Sequence, residues 1–347
     1  DVFGLEQIYR LQIEGQWSTK GDVFLSPSPF NAAHPFGYFG GGGSPGPAIS
    51  TVGRIDYSND TATATEKGPL SSARYDLAAT GNGPFGYFGG GYSELSTVDR
   101  IDYANDTATA SPKGPLSLGR RYSSATGNAS FGYFGGGSPG EKSTVDRIDY
   151  SNDTATAVAK GPLSVARFSS SSTGNQSFGY FGGGAPGPYS TVDRIDYSSD
   201  TGTTPTKGPL SVARHNQAAT GNADFGYHGG GYNPSIGPMS TVDRIDYSND
   251  TATAVAKGPL SVDRYGLAAT GNTSFGYFGG GRVGPALKST VDRIDYSSDT
   301  GTTPSKGPLN FSQRNLAASS SQANAITTGT LFPAPTVREN VAPQGTD

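Results

Sequence analysis

The heptapeptide Phe-Gly-Tyr-Phe-Gly-Gly-Gly begins at Phe36, Phe85, Phe131, Phe178, Phe225 and Phe275, with His228 replacing its second Phe once. The starts lie 49, 46, 47, 47 and 50 residues apart. Each heptapeptide leads into a stretch of variable length and then into Ser-Thr-Val-Asp-Arg-Ile-Asp-Tyr, where Gly53 once replaces the first Asp. The variable stretch measures 7, 4, 5, 5 and 8 residues in the first five repeats, and subtracting it leaves 42 every time. All length variation therefore sits in one loop of an otherwise fixed frame. A frame of this kind implies equal units that bury their faces against one another.

Composition agrees only once the repeat is known. The chain has 347 residues with 52 Gly and 24 Pro, which by itself leans toward low complexity. Yet 35 of the glycines fall in the heptapeptides, the Lys-Gly-Pro steps and the Thr-Gly-Asn turns. The 19 Tyr and 17 Phe, with a net charge of only −4, are the reverse of a solvating disordered chain. No run approaches the length of an apolar membrane span, so no membrane insertion is expected. The start lacks Met and a signal pattern, so a processed product or fragment is expected. Zero Cys excludes disulfides and thiolate chemistry.

The frame reads as four short strands. In one repeat these are Leu77–Thr80, Phe85–Phe88, Thr97–Tyr103 and roughly Thr107–Ala110, with Gly81-Asn82 as a tight turn and Lys113-Gly114-Pro115 closing the unit. Four strands in a period of 40–50 residues are the pattern of a β-propeller blade. Small first-strand residues suit a crowded axis, and Lys with Pro after the fourth strand blunts an edge.

A second strand ending in Gly-Gly, a Tyr near the end of the third and an Arg before the next first strand resemble the kelch repeat. The Trp usual early in the fourth strand of kelch units is missing, and the single Trp is Trp17. Ile8–Ile13 overlays Val-Asp-Arg-Ile-Asp-Tyr, and Trp17 to Gly21 follow like a fourth strand. Asn315–Ala318 and Ile326–Phe332 look like a first and a second strand. The expectation is an all-β, seven-bladed, kelch-like propeller with four antiparallel strands per blade. Its last blade would be closed by N- and C-terminal strands, residues 1–30 with 315–332. Residues 1–332 would form the propeller and 333–347 an extended tail or linker.

Of 25 basic residues, 20 recur at three frame positions, so no nucleic-acid groove is expected. We read Arg54, Arg100, Arg147, Arg194, Arg244 and Arg293, with Asp102, Asp149 and Asp196, as a structural network between blades. Arg10 belongs to the same series. Arg74, Arg120, Arg167, Arg214, Arg264 and Arg314 form a second series. The Tyr57–Thr61 turn lacks the alternating acids of a calcium loop, and no metal is expected. Copper oxidases on kelch-like propellers resemble this frame, but their cofactor needs a Tyr–Cys cross-link and His ligands. With no Cys and only His34, His215 and His228, that site cannot be built. No catalytic residue and no cofactor are expected.

Function is expected where the repeats differ. The second-to-third loops carry Tyr92 and Glu94, Lys142, Tyr189, Tyr232 and Asn233, then Arg282 and Lys288. The links to the next first strand carry Tyr75 and Asp76, Arg121 and Tyr122, Phe168, His215 and Asn216, and Tyr265. In an up-and-down blade both segments emerge on one face, and Tyr, Asn, Ser, Gly and Arg are the residues of adaptable recognition surfaces. The repeat wording is also similar to kelch-type repeat proteins of marine bacteriophage virions. That resemblance implies a virion surface appendage, such as a tail fibre, binding a host cell-surface glycan or protein. Other virion proteins would be neighbours, and a homo-oligomer is possible. The alternatives are a secreted lectin-like adhesin, an intracellular adaptor, and an oxidase-like enzyme that has lost its copper.

Overall fold

The computed structural model describes residues 35–43 and 47–322. Its strands form six antiparallel blades, five of them running from an inner first strand to an outer fourth, while in the sixth the outer position is a single bridge from Ser305 to Asp292. In the second blade these are Ala78–Gly81, Phe85–Gly89, Val98–Asp102 and Ser111–Lys113. The register pairs Tyr87 with Arg100 and Phe88 with Asp99, and the same pairing recurs in the third blade as Tyr133 with Arg147. First strands of successive blades lie side by side in a closed cycle. The fold is a six-bladed β-propeller.

This corrects the expected seventh blade. The C-terminal strand Ala317–Ser320 pairs directly with Phe36–Gly40, which continues into Val52–Asp56 and Thr65–Lys67. A strand late in the described residues thus completes, as its first strand, the blade whose second to fourth strands come earliest. Six frames give six second strands, and the C-terminal strand finds its partner among them, so no further blade is needed to remove the open edge. The segments read as closing strands, 8–21 and 326–332, lie outside the described residues, as does the 333–347 tail.

A second correction concerns the fourth strand. It lies at Ser111–Lys113 rather than Thr107–Ala110, because Tyr103–Asn105 form a 3-10 turn and Asp106 is committed to a neighbouring blade. The ladder then pairs Lys113 with Val98.

The core lies between blades rather than within them. Tyr38, Val52 and Leu70 pack with Leu77, Phe88, Ile101, Tyr103 and Ala110 of the next blade, and equivalent clusters occupy the other five interfaces. Two glycine positions make this close approach possible. A Cβ on Gly68 would lie 1.9 Å from the Ala108 carbonyl oxygen, and one on Gly40 would lie 2.9 Å from the Phe88 ring. The recurring Gly of Lys-Gly-Pro and of the second strand thus let one blade seat against the next.

Charges tie the same interfaces. Asp106 of the second blade accepts from Tyr38 Oη at 3.0 Å and from Arg54 at 2.8 Å, with Lys67 at 3.2 Å, all from the first blade. The cluster recurs at Asp153, Asp200, Asp250, Asp299 and Asp60. Each Arg also lies over the Phe that starts its heptapeptide, as Arg54 does over Phe36 at 3.9 Å. The inter-blade network is therefore present, but its acids are not those expected. Asp102, Asp149 and Asp196 cap their own turns, accepting from the backbone N–H of Ala104, Ser151 and Ser198. Two residues of separation are enough for such a local cap, which keeps these carboxylates from reaching across.

Within five blades a further buried pair holds the incoming link. Arg74 meets Asp99 at 3.0 Å with both side chains fully buried, while Ser71 donates to Asp99 through its backbone N–H and its hydroxyl. Arg120, Arg167, Arg214 and Arg264 repeat it. In the closing blade the whole arrangement is replaced. Gly53 stands for the Asp, Asn310 for the Ser and Gln313 for the Arg. Asn310 Oδ1 occupies the space that a Cβ on Gly53 would need, 2.5 Å away. Charges vanish here in pairs, as they must where a lone buried ion would be costly. Arg314 is thus one residue past the frame position assigned to it from sequence.

Candidate functional site on the variable face

Loops and links do share a face. Backbone bridges join Arg121 to Ser138, Phe168 to Ala185, His215 to Tyr232 and Gly43 to Arg314. The opposite turns repeat almost unchanged, with Asn82, Asn128, Asn175, Asn222 and Asn272 each accepting from the N–H of the following Phe.

At the centre of the variable face the links form a ring that sequence reasoning missed. Asp76 donates its N–H to Asn315 O, Tyr122 to Asp76 O, Ser169 to Tyr122 O, Asn216 to Ser169 O, Gly266 to Asn216 O and Asn315 to Gly266 O, at 2.7–2.9 Å. The circle closes on itself. All six residues have φ between 54° and 69°, a left-handed conformation tolerated best by Gly, Asn and Asp. Four of the six positions carry those types; Tyr122 and Ser169 do not. The signal was there, as a turn residue recurring one place after the variable aromatic. The ring lines the mouth of the axial channel, a cavity of ≈ 100 Å³.

Asp76 is the anomaly of this ring. It is buried, and neither carboxylate oxygen makes a hydrogen bond of full geometry, although Tyr122 and Asn315 approach it. Burial pushes its carboxyl up to about 7, although Tyr122, Arg121, Arg314 and Asn315 pull the other way. Asp76 is therefore no surface reader. Nor is Asn233, which is buried and staples its own loop by donating to Ala213 O and accepting from Ser235 N–H.

Outside the ring the expected side chains meet across links and loops. Tyr75 stacks on Tyr92 at 4.9 Å. Arg121 lies 5.1 Å from the Tyr92 ring and 5.5 Å from Tyr122, and pairs with Glu94 at 3.2 Å. Tyr122 faces Phe168 at 6.0 Å. Tyr232 stands between His215 and Tyr265 at 5.6 and 5.1 Å, and Arg282 covers Tyr265 at 4.6 Å. Asn216 bonds the His215 ring at 3.0 Å. Lys142, Tyr189 and Lys288 flank this belt, their backbones anchoring the loop ends to Arg167, Arg214 and Gln313. Arg314 joins the face as an addition to the expected set. It was missed because Leu70 and Arg74 are four apart, whereas Leu309 and Arg314 are five apart.

Of the described histidines, His215 lies on the variable face and His228 in the frame. Burial lowers His215 from its ordinary value. His228 takes the place of a frame Phe against Gly182, its Nδ1 is 2.8 Å from Ser171 Oγ, and burial drives it down to about 3. His34 lies outside the described residues. Among the described residues no three His, Cys, Asp or Glu side chains are grouped to hold a metal ion. In comparisons with known proteins, the chain matches no family model and no curated protein.

Proposed function

We propose that this chain is a non-catalytic recognition module of a virion surface appendage, such as a tail fibre, and a relative of kelch-type propellers. It binds a host-surface glycan or protein through the variable face and takes no cofactor. The observation that supports this reading is the belt itself. Tyr75, Tyr92, Arg121 and Tyr122 form one contacting group and Tyr232, Tyr265 and Arg282 another, across loops and links that differ from blade to blade. The frame beneath is copied almost residue for residue. Loop drift alone would touch both faces alike. Rigid aromatic rings interleaved with Arg offer contact area at low conformational cost.

The test replaces Tyr75, Tyr122, Tyr232 and Tyr265 together by Ala. Binding to host cells is expected to fall while the melting transition is kept. Unchanged binding by the folded variant sinks the proposal. Mass spectrometry of purified virions checks the location, and finding the chain in the secreted fraction instead moves the same reading to an adhesin.

A further inference from the structure

We infer that the variable face reads an anionic glycan, whose acid groups are held by the cations that the frame leaves unpaired. The inference rests on the recognition reading above and adds the charge of the ligand. Among the described residues, every frame Arg and Lys that precedes or follows a strand in register meets an Asp, as in Arg54–Asp106, Lys67–Asp106 and Arg74–Asp99. Arg121 is paired with Glu94. Lys142, Arg282, Lys288 and Arg314 form no ion pair with a described residue. All four lie in the loops and links of the variable face.

No described acid of these same loops and links forms an ion pair with any of the four. Asp76 is buried in the axial ring, Glu94 is taken by Arg121, and Glu141 and Asp263 are exposed without an ion pair. On the opposite turns the pattern inverts. Asp102, Asp149, Asp196, Asp246 and Asp295 accept only from their own turn residues. Among the described residues the four unpaired cations therefore lie on one side, where only Glu141 and Asp263 are exposed unpaired acids. That separation complements an acidic partner and steers its approach.

The local geometry suits an oxyanion on a sugar rather than charge alone. Arg121 and Arg314 are both within electrostatic reach of Tyr75, Asp76 and Tyr122. Arg282 lies over the Tyr265 ring at 4.6 Å, with its Nε buried against the protein. A guanidinium stacked on an aromatic ring still offers its terminal Nη–H groups to a carboxylate or sulfate. The neighbouring Tyr rings offer a surface for the sugar ring.

The experiment immobilises the full chain and measures binding of oligogalacturonate, a sulfated galactan, a neutral galactan of similar length, and oligothymidylate. At least one acidic glycan is expected to bind, more weakly as salt rises, and the neutral galactan at least about tenfold less tightly. The carboxylate and sulfate arms decide which acid group is read. Arg282→Gln combined with Arg314→Gln is expected to weaken acidic binding by about tenfold or more without moving the melting transition. Equal binding of neutral and acidic galactan, an unaffected double variant, or no acidic binding overturns the inference. Oligothymidylate bound as tightly overturns its glycan part. If the neutral galactan binds and Tyr75→Ala abolishes it, recognition stands and only the charge assignment falls.

Discussion

Arg293, in the third strand of the sixth blade, donates to Asp60 of the first blade at 2.8 Å. Arg54 makes the same bond to Asp106 one interface further on, also at 2.8 Å. The point where the ring closes is thus bonded like every other interface at this position. Burial pushes the Asp60 carboxyl up, but the bonds from Lys306 and Tyr277 and the Arg293 charge outweigh it and hold it below its ordinary value. Replacing Asp60 by Ala strands Arg293 and Lys306 together. A loss of about 3 kcal/mol is expected, toward the lower end for a broken buried pair because Arg293 keeps 25% of its side chain exposed. Chemical denaturation checks it, and a change under about 0.5 kcal/mol, the range of ordinary surface substitutions, would show that closure does not depend on the clamp.

The neutral seam around Gly53 yields a paired prediction. Gly53→Asp alone drives a carboxylate into Asn310 and leaves it buried without an Arg, so it is expected to cost about 3 kcal/mol or more. Gly53→Asp with Asn310→Ser and Gln313→Arg rebuilds the arrangement of the other blades. It also removes two buried orphan atoms, Asn310 Nδ2 and Gln313 Oε1. The triple variant is expected to equal or exceed the parent by about 1 kcal/mol. A triple variant as unstable as the single one would sink this account.

Asp76 sets a pH dependence of definite sign. Its carboxyl is held at about 7 when folded, against 3.8 ordinarily, so the folded chain binds the proton more tightly. Its contribution is full below pH 4 or so, is lost as pH rises toward the folded value by up to about 1.4 kcal/mol per unit, and changes little above it. Asp200, Asp250 and Asp299, all held below the ordinary value, act in the opposite sense but only at acid pH. Asp76→Asn keeps a residue that Asn216 and Asn315 show to be at home in the ring. Melting scans between about pH 5 and about pH 8 are expected to show parent stability falling relative to this variant. Parallel curves contradict the assignment.

Two glycines separate packing from flexibility. A Cβ on Gly114 would lie 1.9 Å from the Ala155 carbonyl oxygen, whereas one on Gly83 would have nothing within 4 Å. Gly114→Ala is expected to cost about 3 kcal/mol, as overpacking does, and Gly83→Ala less than about 0.5 kcal/mol. Equal effects in denaturation would mean that the blades do not seat as tightly as drawn.

Much of this molecule was legible before any coordinates. The constant 42-residue frame specified strands of fixed order, and the single variable loop specified which face would differ, because period and loop length are local properties of the chain. Blade number was not legible. Residues 8–13 resemble a third strand as well as any frame copy does, and only pairing shows that Ala317–Ser320 goes to Phe36–Gly40. The choice between Asp102 and Asp106 escaped for a related reason. Both recur with the same period, and which one caps its own turn and which crosses to Arg54 is a matter of direction in space.

The amino-acid order alone therefore determined the unit, its recurring glycines and the positions of diversity. Tertiary structure decided how many units close the ring, which carboxylates neutralise which cations, and that Lys142, Arg282, Lys288 and Arg314 are left over on one face. Periodicity is written along the chain, but pairing of charge depends on distances between blades that no single repeat contains.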